Sequence, residues 1–318
     1  MARILNVVFS FNRGPLLANC VKSIRRFDPG SQIVVLDDDS DDPETRRVLE
    51  RIAKTDGVVL ETGATDKAHH GNLYANMNRA VKLAAARGFD LVHFIQDDMQ
   101  LVWRRPDLAE HVEAIFESDE RAYQVQVHFV KRLGKSEVEP ARKPRAYRVR
   151  TIGGDLGVFH VRRILERGLE FGPSEREWAE RAARLGGEVY ATADPVIARI
   201  PWPRSARFGQ MRGSTIRARS DLLLRPLDAS AVRGLVSRDP VERPWGEDWI
   251  APWGWSCWQP YHHDASVAGW LQAIARAAWK QRSLRGLWPR RVIEPRVTRG
   301  RSLSPADAGI PVREELDR

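Results

Sequence analysis

Gln32-Ile33-Val34-Val35-Leu36-Asp37-Asp38-Asp39-Ser40-Asp41-Asp42-Pro43 decides how the rest of the chain is read. Ile33 to Leu36 is a short unbroken apolar run, the pattern of a strand buried on both faces. Asp42-Pro43 then opens a helix, because proline suits the first helical turn, where its missing N–H is not needed. Between strand and helix stand five carboxylates in six residues. Carboxylates crowded at a strand end repel one another unless a cation or a hydroxyl-rich ligand lies nearby. The helix macrodipole accounts for Asp41 and Asp42, and less well for Asp37 and Asp38. A calcium loop of the EF-hand type is excluded, since the sixth position is Asp42 and not Gly and the twelfth is Val48 and not Glu.

The same strand-then-helix unit repeats on both sides. Upstream, residues 4–10 read as a strand, and Asn12-Arg13-Gly14-Pro15 starts a helix lined by Leu17, Cys20, Val21 and Ile24. Downstream, a strand at 57–60 precedes a helix at 72–86, and a strand at 91–95 runs into Gln96-Asp97-Asp98. A helix at 106–117 and a half-exposed strand at 123–129 follow. This alternation predicts an α/β fold with a mainly parallel sheet and helices on both faces. Ligands of such sheets bind beyond the carboxyl ends of the strands. Asn12-Arg13, Asp37 to Asp42 and Asp97-Asp98 all fall there. Asp97 and Asp98 offer hard oxygen donors that suit a divalent cation while leaving positions open for a diphosphate; the plain alternative is an ordinary turn.

These landmarks resemble the family 2 glycosyltransferases of the GT-A fold. The likeness is carried by residues 7–13 ending in Phe11-Asn12-Arg13, by IVVLDDDS at 33–40, by residues 72–80 and by FIQDD at 94–98, in the family's order. It implies transfer of a sugar from a nucleoside-diphosphate donor to a hydroxyl acceptor (a glycan, a lipid-linked or a small molecule). It also implies inversion by a carboxylate base, and Mg²⁺ or Mn²⁺. On this likeness Asp38 holds the base or ribose, Phe9, Ser10 and Asn12 line the base pocket, Asp97 touches the ribose and Asp98 ligates the cation. Gly153 and Gly154, ahead of Asp155, resemble the small-residue segment beneath the donor sugar. Ser174-Glu175-Arg176-Glu177-Trp178-Ala179-Glu180-Arg181 resembles the family's acidic motif at a late helix start, which puts the general base on Glu175, with Glu177 second. The chain departs from the pattern twice. Asp39 stands where the family has Gly or Asn, and Gln96 replaces the first carboxylate of the metal motif.

The second half is less regular. Residues 131–150 are basic and read as a mobile loop, 151–160 include a short strand, 174–185 form a helix and 188–200 are strand-like. The expected organisation is a catalytic domain at 1–205, divided into a nucleotide-sugar half at 1–130 and an acceptor half at 131–205. A Trp-rich, partly helical extension at 206–290 and a flexible basic tail at 291–318 complete it.

The 318 residues carry a formal net charge of +9, and the span 276–301 alone holds nine Lys/Arg against one acid. The excess therefore belongs to the tail and not to the fold. Together with the amphipathic stretch at 266–280, this span suggests a peripheral contact with an anionic membrane surface through 266–301; a helix docked on its own domain is the alternative. Cys20 and Cys257, the two cysteines, exclude a disulfide framework and a four-cysteine zinc site. A short apolar N-terminus and the lack of any membrane-length apolar run lead to the expectation of a cytoplasmic protein.

Three other readings compete. A haloacid-dehalogenase-type phosphatase is opposed by the acidic motif lying on the second strand and by Asp41. A nucleic-acid binder is opposed by the basic stretch 131–150, whose one aromatic is Tyr147, and no nucleic-acid partner is expected. A GT-A protein that binds donor without turnover is suggested by Gln96 and Ser174.

Overall fold

The computed structural model describes residues 2–62, 72–129, 138–149, 154–172, 174–200 and 223–242, with the backbone alone for Glu175 and Arg176. Strands β1 (Ile4–Ser10), β2 (Gln32–Asp37), β3 (Val58–Thr62) and β4 (Leu91–Gln96) alternate with helices α1 (Gly14–Phe27), α2 (Pro43–Ile52) and α3 (Leu73–Ala86). They pair in parallel in the order β3-β2-β1-β4. Right-handed crossovers put α1 and α2 on one face. Because β3 to β4 crosses the sheet in the reverse direction, α3 lies on the other face. The order reverses between β1 and β4, the switch point at which open α/β sheets bind ligands.

Beyond β4 the sheet becomes mixed. Its further elements are β5 (Met99–Leu101), α4 (Leu108–Ser118), β6 (Ala122–Gln126), β7 (Val138–Ala141), β8 (Ala146–Val149), β9 (Gly157–His160), α5 (Val161–Glu166), α6 (Glu175–Arg184), β10 (Glu188–Thr192) and β11 (Ile197–Arg199). The nine-stranded order is β3-β2-β1-β4-β9-β6-β10-β8-β7, and β5 pairs with β11 as a separate ribbon. β9 runs antiparallel to both β4 and β6.

Two sequence expectations change here. The strand at 123–129 is not half-exposed: all five residues of β6 are buried, because it lies between β9 and β10 and not at an edge. The stretch 131–150 is not simply a mobile loop. Its described part, 138–149, forms the antiparallel hairpin β7–β8, which closes the sheet through β10.

The core joins Leu5, Val7, Val34, Leu36, Phe94, Ile95, Phe159 and Trp178 without a break. Residues 223–242, placed by sequence in the extension, pack on the same body. The Leu224 N–H donates to Asn19 Oδ1 (2.8 Å), the Leu227 N–H donates to the Val102 carbonyl (2.7 Å), and Leu235 of α7 (Ala229–Val236) is buried. The remaining Trp-rich extension, the 266–301 segment and the tail lie outside the described residues. Among the described residues no helix is long and apolar enough to cross a membrane.

Candidate active site

Three loops meet where β1, β2 and β4 end, and backbone hydrogen bonds join them. The Asp38 N–H donates to the Ser10 carbonyl (2.9 Å), and the Asp97 N–H donates to the Phe9 carbonyl (3.1 Å). Asn12 ties the first loop to the second. Its amide oxygen accepts from the backbone N–H groups of Asp41 and Asp42 (both 3.0 Å), and its NH₂ donates to Asp41 Oδ1 (2.7 Å). Asn12 has φ +52° and Asp39 φ +55°, the left-handed region that Asn and Asp tolerate best after glycine. This accounts for the first family departure, because Asp39 meets the same backbone demand as Gly or Asn.

The acidic cluster is largely built into its own loop. Asp37 accepts from the Ser40 N–H and Oγ (2.8 and 2.7 Å), and burial raises its pKa. Asp42 caps α2 through the Thr45 N–H (2.8 Å). Asp38 is half-buried and accepts from the Asn72 N–H at the start of α3 (2.8 Å). These donors relieve the expected repulsion, so the cluster as a whole needs no cation.

Phe9, Ser10 and Asn12, expected to line a base pocket, are all buried. Phe9 packs edge-on against Phe94 at 5.2 Å, inside the core. Among the described residues at this edge, Phe11 presents an aromatic ring that is 45% exposed, and its N–H donates to Asp97 Oδ2 (3.4 Å). The end of the strand explains the difference: residues inside a buried central strand are covered on both faces, and Phe11 is the first residue beyond the end of β1.

Asp97 and Asp98 are fully buried and are met by two guanidinium groups. Arg13 lies 3.0 Å from Asp97 and 3.6 Å from Asp98, and Arg199 Nε lies 3.2 Å from Asp98. Burial pushes the Asp97 carboxyl up to about 7, against the pull of Arg13 and with a further push from Asp98. Gln96 accepts from Arg199 (2.8 Å) and donates to Asp155 Oδ2 (2.5 Å). An amide can do both, whereas an ionised carboxylate is acceptor-only. Gln96 therefore bridges an acid to a base, which accounts for the second departure from the family's motif. Sequence reasoning gave neither Arg13 nor Arg199 a role. Arg13 was signalled by its place in the Phe-Asn-Arg turn. Arg199, on a three-residue strand far from every motif, carried no signal.

Gly154 and Asp155 are fixed from two sides. The Leu156 carbonyl accepts from Gln124 (2.6 Å) and Gln126 (2.9 Å). A Cβ on Gly154 would lie 2.4 Å from Trp178 Cε3 of α6. Ser174 caps α6 by accepting from the Glu177 N–H (3.2 Å), and the Glu177 side chain is exposed. The Glu175 side chain and Gly153 lie outside the described residues.

A divalent cation fits the chemistry of this corner. Asp97 and Asp98 are paired hard-oxygen donors, and Mg²⁺ is commonly held by one or two carboxylates with substrate phosphates and water completing its shell. Among the described residues no three His, Cys, Asp or Glu side chains are grouped to hold a metal by themselves.

A 3-2-1-4 parallel sheet with its polar residues gathered at the switch point defines an α/β domain of the nucleotide-binding type. Residues 7–162 match the family model described as glycosyl transferase family 2, and this part of the chain, from β1 to the start of α5, is a glycosyltransferase domain of that family with the GT-A fold. No curated protein matches the chain. Among solved structures, TarS from S. aureus is similar at 14% identity and a TM-score of 0.47, with 62% of this chain covered. The chain spans about a third (36%) of the length of TarS. The mannosyltransferase PcManGT from Pyrobaculum calidifontis, solved with GDP-Man and Mn²⁺, is similar at 18% identity and a TM-score of 0.44, covering 90% of this chain and 77% of that one.

Proposed function

We propose that the protein transfers a sugar from a nucleoside-diphosphate donor to a hydroxyl acceptor, with inversion at the anomeric carbon. The observation that carries this reading is the buried pair Asp97–Asp98 at the β1/β4 switch point, with Arg13 and Arg199 against it. Phe11 offers an exposed ring for the base, and Asp38, beside the start of α3, lies at the same edge for the base or ribose. Asp97 takes the ribose, and Asp98, with Asp97 beside it, would hold Mg²⁺ or Mn²⁺. Such a cation, when bound, neutralises charge developing on the leaving diphosphate. Gly153 and Gly154 are assigned to the small-residue segment beneath the sugar, with the Trp178 indole packed where a Gly154 side chain would begin. Glu175, in the first turn of α6, removes the acceptor proton as the hydroxyl attacks, with Glu177 the second candidate.

The acceptor is a glycan, a lipid-linked or a small hydroxyl compound. The basic 266–301 segment brings the enzyme to an anionic membrane surface on the cytoplasmic side. Thermal-shift titration with UDP-, GDP- and dTDP-sugars, with and without Mn²⁺, tests the donor reading, since binding to the folded state raises its stability. No shift with any nucleotide sugar overturns it. Sedimentation with anionic but not neutral vesicles tests the membrane contact.

A further inference from the structure

Gln96, Asp98 and Arg199 form a connected group whose charges bear on how a cation enters. Arg199 reaches Asp98 with Nε at 3.2 Å, and its Nη2 donates to Gln96 Oε1 at 2.8 Å. Its backbone is anchored independently, because the next residue, Ile200, donates its N–H to the Asp98 carbonyl (2.7 Å) and β11 pairs with β5. Its side chain is 28% exposed while that of Asp98 is 0% exposed. The guanidinium therefore sits between solvent and a buried carboxylate on a fixed backbone.

We propose that Arg199 is a resident counter-ion of Asp98 that keeps a lone divalent cation out and transfers to the diphosphate when cation and donor arrive together. The inference rests on the donor reading above. Among the described residues, Asp97 and Asp98 already face Arg13 and Arg199. A lone divalent cation would add two positive charges beside two guanidinium groups, and a lone diphosphate would add negative charge beside two buried carboxylates. Arriving together they bring nearly balanced charge, and the released guanidinium finds phosphate oxygens that suit its planar fork. Gln96 belongs to the same device: it offers Arg199 an uncharged acceptor, whereas an acid at this position would hold the guanidinium in place.

The test is a Mn²⁺ titration followed by electron paramagnetic resonance on the full chain, alone and with saturating UDP or GDP. Wild-type protein should bind Mn²⁺ at least about tenfold more weakly alone than with the nucleotide that binds. Arg199→Gln should tighten binding of Mn²⁺ alone by at least about tenfold and shrink that gap, since a unit charge a few ångströms away is worth this much even under strong screening. Arg199→Lys, which keeps the charge, should behave like wild type. Equal Mn²⁺ affinity with and without nucleotide in the wild type overturns the inference and needs no variant. A folded Arg199→Gln protein with unchanged affinity for Mn²⁺ alone overturns it as well. Nucleotide binding indifferent to Mn²⁺ removes this inference and leaves the donor reading intact, whereas no nucleotide binding at all removes both.

Discussion

The indole of Trp178 fills the space in which a side chain on Gly154 would begin, with Cε3 2.4 Å from the position of a Cβ. Trp178 also stacks on Phe171 at 4.7 Å and meets Tyr123 and Phe159 edge-on. The first turn of α6, which carries Glu175 and Glu177, is thus registered against the segment that carries Asp155. Gly154→Ala must displace a fully packed ring, and overpacking of this kind typically costs about 1–3 kcal/mol. A lower urea midpoint with an unchanged slope is expected, together with a larger loss of transfer rate than of donor affinity, because α6 moves and the Asp97–Asp98 corner does not. An unchanged midpoint would show that the indole yields freely.

Asn12 supports a second prediction. Asn12→Ala removes the acceptor for the Asp41 and Asp42 N–H groups and the donor to Asp41, and it also puts alanine at φ +52°. Leaving a buried N–H without a partner costs about 1–3 kcal/mol. Asn12→Gly relieves the backbone and still loses the amide, so it should recover only part of the loss. Denaturant melts of the two variants give the division. If Asn12→Gly matches wild type, the amide contributes little and the backbone conformation is what matters.

Much of this was legible in the sequence, and for a physical reason. Buried parallel strands need apolar runs, and the residues at and beyond their ends are released from that demand, so 33–36 followed by Asp37-Asp38 and 91–95 followed by Gln96-Asp97-Asp98 mark strand ends directly. Side-chain direction was not legible. Phe9 and Phe11 differ only in which side of the strand end they fall on, and one is core while the other faces outward. Arg199 was invisible because a three-residue strand has no period, and it reaches Asp98 only through pairing with β5. The hairpin β7–β8 was hidden by its basic composition, since edge strands carry charge without losing their pairing.

Phe11 should matter for donor affinity and not for stability. Its ring is 45% exposed, so Phe11→Ala removes little buried area, whereas stacking of a base on an aromatic ring is worth about 1–3 kcal/mol. The expected result is a rise of about 5- to 150-fold in the nucleotide Kd (~1–3 kcal/mol) with a melting temperature near that of wild type. Unchanged nucleotide affinity would move the base elsewhere along the edge.

The carboxylates divide into binding and chemistry. Asp98→Asn should abolish most metal-assisted donor binding and nearly all turnover. Glu175→Gln should bind donor normally and lower kcat by about 10²–10⁴-fold, the usual contribution of a general base. Loss of turnover at Glu177→Gln with Glu175→Gln active would move the base two residues along, and activity in both would leave Asp155 as the next residue to test.

Acid should unfold the protein early, and buried histidines set the sign. Burial lowers the pKa of His93 to about 3, that of His111 to about 4 and that of His128 well below its usual value. A base whose folded pKa is depressed is neutral when folded and takes up a proton on unfolding. Its stabilising contribution is therefore complete above the unfolded pKa near 6.5 and is lost as pH falls toward the folded value. Each such histidine contributes a slope of about 1.4 kcal/mol per pH unit in that window, so His93 and His128 alone give about 3 kcal/mol per unit. Asp97, Asp37 and Asp28 oppose them, because their raised pKa values favour folding as pH falls, but they stand against four such histidines once His160 is counted. The urea midpoint should fall steeply between pH 6 and pH 4, as followed by tryptophan fluorescence. His93→Gln should flatten that fall by about one proton, because the amide keeps a polar group beside Asn6, where His93 Nδ1 now lies 3.0 Å from Asn6 Oδ1, and cannot titrate. A midpoint that stays level from pH 7.5 to pH 4.5 would mean that His93 and His128 are charged in the folded protein, and the packing of their rings at 5.5 Å would then need a buried counter-charge.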